Sequence, residues 1–231
     1  MSDVLTLAEP IEELQKPSRD YALRKKSLTA SLAEAERIIQ SALSHPKLIE
    51  PLARVGFDGD ELRRGLALLA VVREKHAARR EAMVAATQGT RTRDSALDAA
   101  IRDFCAYRQA VQICYRGAER TSLGIGTMIP DGSEQFCDHA LKAYTMAKSQ
   151  SFAAALGKHG FGPERLKSAL KTLDVLADAD RSLQMAQTGA QAATETRDAA
   201  KQTLEEWMTR LQLLARVALR RSPTQVRQLI E

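Results

Sequence analysis

Aromatic residues make up only 4% of this 231-residue chain. The usual strand formers are sparse beside alanine, which fills about one position in six. That balance favours helix on intrinsic propensity and argues against a sandwich, a barrel or a doubly wound sheet. Glycine and proline are also scarce, at 12 and 7 residues, while hydrophobic residues reach 44%. A chain of this composition and length can bury a core, as one large domain or two small ones, and is not a disordered polymer. No stretch approaches 18 consecutive apolar residues, so no transmembrane helix is expected. The opening MSDVLTLAEPIEELQK has no basic n-region and no long apolar run, so no secretory signal is read there.

There are three cysteines, Cys105, Cys114 and Cys137. An odd number without tight spacing is no disulfide framework. Reduced thiols in a cytoplasmic, bacterial or similar protein are the expectation.

The motifs that carry chemistry are missing as well. A carboxylate-bridged metal pair in a helical bundle needs Glu-x-x-His on two helices, and none occurs. There is no Gly-x-Ser-x-Gly and no Walker-type phosphate loop. Gly124-x-Gly126 lacks the third glycine and the preceding strand of a dinucleotide site. Zinc needs about four converging ligands. Cys114, Cys137 and His139 flank one linker and are the candidates, but buried thiols and a surface histidine are the simpler account. Asp58-Gly59-Asp60-Glu61 resembles part of a calcium loop yet sits at a helix start, where capping explains it. The expectation is a protein that is not an enzyme and carries no cofactor.

What is present is a repeat. Residues 56–66 read GFDGDELRRGL and residues 160–170 read GFGPERLKSAL, an offset of 104. At the same offset Thr90-Arg91-Thr92-Arg93-Asp94 meets Thr194-Glu195-Thr196-Arg197-Asp198. Leu52, Leu62, Leu66 and Leu69 meet Leu156, Leu166, Leu170 and Leu173, and Arg116 meets Arg220. Two separate segments agree in one register without a gap. The reading is all-α: a tandem duplication of a three-helix unit, forming a six-helix or paired helical bundle.

In the first copy, 21–116, helix A spans Leu28–Leu43 and resumes at Lys47–Arg54 after a break at His45-Pro46. Gly56-Phe57 ends it. Helix B runs from Asp58 or Asp60 to about Thr87, with Leu62, Leu66, Leu69, Val72, His76 and Met83 as its stripe, and Gly89 closes it. Thr92 caps helix C, which carries Leu97, Ile101, Phe104, Val111 and Tyr115. The linker is 117–132. The second copy, 133–221, has helix A′ over Ser133–Lys158, Pro163 in the first turn of B′, and helix C′ with Leu204, Met208, Leu211, Ala215 and Leu219. Residues 1–20 read as a mobile segment, and 222–231 as a tail or short helix.

The net charge is +5, with a pI near 9.2. The basic residues are spread and interleaved with acids, which reads first as solvated helix faces. Arg93 and Arg197 fall at what look like matching helix starts, where backbone N–H groups would help hold an anion or a partner. Trp207, whose counterpart is Asp103, is a candidate partner anchor or a side chain partly buried against helix A′. Arg216 and Arg220, with Arg210, make the end of C′ basic. The function expected is a non-catalytic interaction or self-assembly protein acting through a protein partner or its own copies. Nucleic-acid binding through a dispersed basic surface is an alternative. A small-ligand or metal-binding bundle is the second.

Overall fold

The computed structural model describes residues 27–126 and 128–220. The segments 1–20 and 222–231, and Arg221, lie outside the described residues. Among the described residues there are seven helices and no strand: α1 (Leu28–Ser44), α2 (Pro46–Ala53), α3 (Gly59–Cys114), α4 (Ala118–Ser122), α5 (Ser133–Ala147), α6 (Gln150–Lys158) and α7 (Pro163–Ala218). No described helix is long and apolar enough to cross a membrane.

Local chemistry explains the first boundaries. Ser27 caps α1, its Oγ accepting from the Ala30 amide at 3.2 Å. Pro46 holds His45 extended, which stops α1, and then serves as the first residue of α2. Gly56 ends α2 in the left-handed region at φ +87°, which lets the Phe57 amide reach back to the Leu52 carbonyl at 2.9 Å. Asp58 then caps α3, its carboxylate accepting from the amides of Asp60 and Glu61 at 3.1 and 2.9 Å. Capping, not calcium, is the work of this acidic string.

The same joint recurs 104 residues on. Gly160 has φ +83°, and the Phe161 amide reaches the Leu156 carbonyl at 2.9 Å. Helices α3 and α7 each contain 56 residues, and their bounds differ by that one offset. The break between α5 and α6 falls at Lys148-Ser149, opposite Ser44-His45. Helix A′ is therefore two helices and not one. Ser149 is extended and its carbonyl accepts from the Phe152 and Ala153 amides, so the break forms without proline. The linker is not bare, since α4 lies within it.

The expected division of helices B and C is corrected. Both α3 and α7 run unbroken through Gly89 and Gly189. Thr92 does not cap: its Oγ1 donates to the Gln88 carbonyl four residues back, as Thr90 does to Ala86, Thr194 to Ala190 and Thr196 to Ala192. A threonine bonding inside its own helix has no call to end it. Gly89 packs, because a Cβ there would lie 3.3 Å from Leu183 Cδ1. One glycine costs a helix only about 1 kcal/mol, too little to break it.

The chain forms two compact units, Met1–Val72 with Lys201–Glu231, and Arg73–Ala200. In the first, α1 contributes Ile38, Ile39 and Ala42, and α2 contributes Leu48 and Leu52. Phe57 and Leu62 of the α3 start join Trp207, Leu211, Ala215 and Leu219 around α7's end. In the second, the core joins Phe104, Tyr107 and Val111 of α3 to Phe136, Ala140 and Tyr144 of α5. Leu156 of α6 and Leu166, Leu173 and Leu176 of α7 complete it. Each unit thus combines a short-helix pair and the start of the long helix that follows it with the far end of the other long helix. The units cut across 21–116 and 133–221 instead of matching them.

Within the second unit the two long helices run antiparallel. Arg79 Nε donates to Thr194 Oγ1 at 3.1 Å, and Arg93 Nε lies 3.9 Å from Asp180. From Arg73 to Ser95 no residue of α3 is buried. Leu62, Leu69 and Val72 are core, but His76 is only half-buried and Met83 is 44% exposed. The apolar stripe stops where the seam turns to alanine, glycine and threonine, which bury little area.

Candidate functional site

Arg93 and Arg197 lie inside α3 and α7, where the neighbouring amides are spent on the helix. The helix-start anion site is therefore corrected, since no free N–H groups gather there. Each guanidinium has carboxylate neighbours instead. Arg93 Nε is 3.3 Å from Asp94 and 3.9 Å from Asp180, and Arg197 Nε is 2.9 Å from Asp198. The register of Arg79 and Thr194 sets His76 opposite Arg197, the position that Asp180 takes opposite Arg93.

Trp207 is 7% exposed and belongs to the core of the first unit. Its ring meets Phe57 edge-on at 5.4 Å between centroids, and its Nε1 donates to Glu61 Oε1 at 2.8 Å. It packs on the start of α3 and not on helix A′, and its burial leaves no face for a partner. Arg216 and Arg220 are exposed, as are Val217 between them and Leu213 just before. Arg210 is exposed at the helix surface with its guanidinium 5.7 Å from the Phe57 ring centre.

The three metal candidates do not form a site. Among the described residues no three His, Cys, Asp or Glu side chains are placed to hold a metal ion. His139 Nε2 is 3.0 Å from the Gly124 carbonyl, and Cys114 Sγ is 3.7 Å from the Ala155 carbonyl. Burial pushes both the Cys114 and Cys137 thiols up, and Asp180 and Asp138 push Cys137 further. Cys105 is exposed. A thiol reagent at neutral pH is therefore expected to give one fast phase and two slow ones. Loss of the fast phase in Cys105→Ser checks the assignment, and three equal phases would contradict it.

The second unit holds an aromatic cluster that the sequence reading had not assembled. Phe104 lies 5.4–5.9 Å from His139, Phe136, Tyr107 and Tyr144, and Tyr107 is 5.1 Å from Tyr144. Tyr107 OH donates to one of two carbonyls at 3.2 Å, Leu123 or Ala143, and so ties α3 either to the linker or to α5. Tyr144 OH is buried with no partner. Burial raises both phenols, helped by Tyr115 for Tyr107 and chiefly by Asp103 for Tyr144. Both stay protonated when folded at a pH where an unfolded tyrosine, near 10, has ionised. Their contribution is then complete below about pH 10 and is lost as pH rises above it. The urea midpoint should fall above pH 10, and fall less steeply in Tyr107→Phe/Tyr144→Phe. An identical slope in that variant would contradict this.

The chain's grooves are shallow. One of about 480 Å³ runs between α1 and α7 of the first unit, over Leu28, Leu32, Ile38, Leu204 and Met208. Glu34, Lys201 and Glu205 line it with them, and no histidine or cysteine does. It offers an apolar contact edged by charged side chains.

No family model, curated protein or solved structure matches this chain. The functional reading rests on the residues themselves.

Proposed function

We propose that the chain is a tandem-duplicated, non-catalytic cytoplasmic interaction protein with two equivalent contact points, one at the end of each long helix. One observation carries this. Ile113 and Val217 stand 104 residues apart, and both are exposed, at 68% and 65%. Each is followed three residues later by an exposed arginine, Arg116 or Arg220. Large β-branched side chains held in water beside a cation suit a partner that offers an apolar side chain and a carboxylate. The shared offset of the helix joints and of these pairs supports the duplication. The recurrence of the pair supports a role for it beyond chance exposure, and bivalence raises avidity for a repeated or dimeric partner.

A nucleic-acid reading has one observation of its own. From Trp207 to Arg220 there is no acidic residue, while Arg210, Arg216 and Arg220 are exposed. The two readings separate in one experiment. The tagged chain is captured from its native cells with nuclease and high salt, beside Ile113→Glu/Val217→Glu and Arg216→Ala/Arg220→Ala. The interaction reading expects a stoichiometric protein that the glutamate variant loses. Loss of all bound material, with nucleic acid released by the treatment and absent from the arginine variant, would replace it.

A further inference from the structure

The two units fasten their long helices at the same place with opposite chemistry. In the first, Trp207 Nε1 of α7 donates to Glu61 of α3, and the indole fills the space over Gly65. A Cβ at position 65 would lie 2.2 Å from the ring's Cη2 atom. In the second unit the counterparts, each offset by 104 residues, are Asp103, Arg165 and Ala169. Arg165 donates to Asp103 at 2.5 Å, Thr172 Oγ1 lies 3.3 Å from the same carboxylate and 3.2 Å from the Ser168 carbonyl and donates to one of them, and Ala169 is buried where the first unit has its glycine.

We infer that this tie is a pairing code: each short-helix half accepts the long-helix end of the other repeat and rejects the end of its own. The chemistry runs both ways. If the half bearing Glu61 met the end bearing Asp103, two carboxylates would face each other over an empty notch at Gly65. If the half bearing Arg165 met the end bearing Trp207, two donors would face each other, and the indole would strike the Cβ of Ala169. Both like-with-like pairings are penalised by charge or donor mismatch and by shape, whereas both observed pairings satisfy both. Such pairings arise when a second copy of the chain approaches during folding. The code therefore keeps a chain with two similar halves from assembling like with like, and it does not depend on what the protein binds.

The test is an exchange in the full chain. Asp103→Trp/Trp207→Asp puts each end's chemistry on the wrong half. It is expected to lower Tm by about 10 °C, since roughly 1 kcal/mol moves a chain of this size by 2–4 °C. It should also raise the mass measured by light scattering above that of the wild-type chain. Adding Glu61→Arg, Gly65→Ala, Arg165→Glu and Ala169→Gly moves the matching halves too, and should recover at least half of the lost Tm and the wild-type mass. An exchange without cost, or a six-position chain no better than the two-position one, overturns the inference. If the two-position chain does not fold, recovery by the six-position chain still decides. A smaller cycle supports or overturns it independently: Gly65→Ala should lower Tm by about 5 °C in the wild-type chain and by little in a Trp207→Leu background. Equal losses in the two backgrounds would count against the notch.

Discussion

Gly89→Pro is expected to destabilise the second unit by about 3 kcal/mol or more. Position 89 lies inside α3, thirty residues from its first and twenty-five from its last. Proline there removes one backbone hydrogen bond and drives its ring against the carbonyl four residues back. It also adds bulk where a Cβ already meets Leu183 Cδ1 at 3.3 Å and the Leu183 Cα at 3.4 Å. If residues 87–92 were a turn between two helices, the same change would cost almost nothing. Alanine substitutions separate backbone from packing. Gly189→Ala, with nothing within 4 Å of its added Cβ, should stabilise by up to about 1 kcal/mol through helix propensity. Gly89→Ala should gain less, because Leu183 must give way. Urea denaturation followed by circular dichroism measures all three. A Gly89→Pro chain within about 0.5 kcal/mol of wild type would contradict the unbroken helix.

Phe104→Ala is expected to cost about 3–5 kcal/mol, the usual range for an aromatic lost from a core. Phe104 is fully buried, and it touches rings from both α3 and α5. The side chains around the hole are large and tied in place. Tyr107 is held to a backbone carbonyl, Leu123 or Ala143, and His139 to Gly124. They cannot collapse inward without breaking those bonds, so the cavity term should be near its upper range. Phe104→Leu should recover more than half of the loss. A cost below about 1 kcal/mol for Phe104→Ala would mean that the cluster is not the core of the second unit.

The elements legible in the sequence were those set by local chemistry. Pro46, Gly56 and Asp58 mark their helix boundaries by capping, by a fixed φ or by a left-handed turn, and none needs a distant partner. Most of the apolar stripe is buried where its spacing predicts, including Leu32, Ile39, Phe136, Phe104 and Leu211, while Leu28, Leu66, Leu97, Ile101, Leu170 and Met208 are only half-buried. The misreadings came from residues whose role is tertiary. Gly89 looks like a terminator until Leu183 is seen against it. Thr92 looks like a cap, yet its hydroxyl bonds the turn before. The break before Gln150 has no proline to announce it, although the repeat places it opposite His45.

Trp207 shows the limit most plainly. Its counterpart is an aspartate, and from one position alone that looks like an unshared surface site. The signal lay in the second partner, since Glu61 opposite Trp207 and Arg165 opposite Asp103 change together at one offset. The aromatic cluster around Phe104 left no such trace, because its members are separated along the chain and only the fold gathers them. The pairing of each short-helix pair with the far end of the other long helix was likewise not readable from periodicity, which describes each helix and not its neighbour.

The central claim is that each unit is built from both sides of the linker, and a nick there tests it most directly. A protease site inserted between Asp131 and Gly132, in the exposed stretch before α5, divides the chain into its two halves after folding. If each unit needs a short-helix pair from one half and a long-helix end from the other, the two fragments must stay together. The account predicts that they co-elute from a sizing column in native buffer at the mass of the intact chain, with its helicity, and separate only in denaturant. Two fragments that part in native buffer, each helical and cooperatively folded by itself, would contradict it.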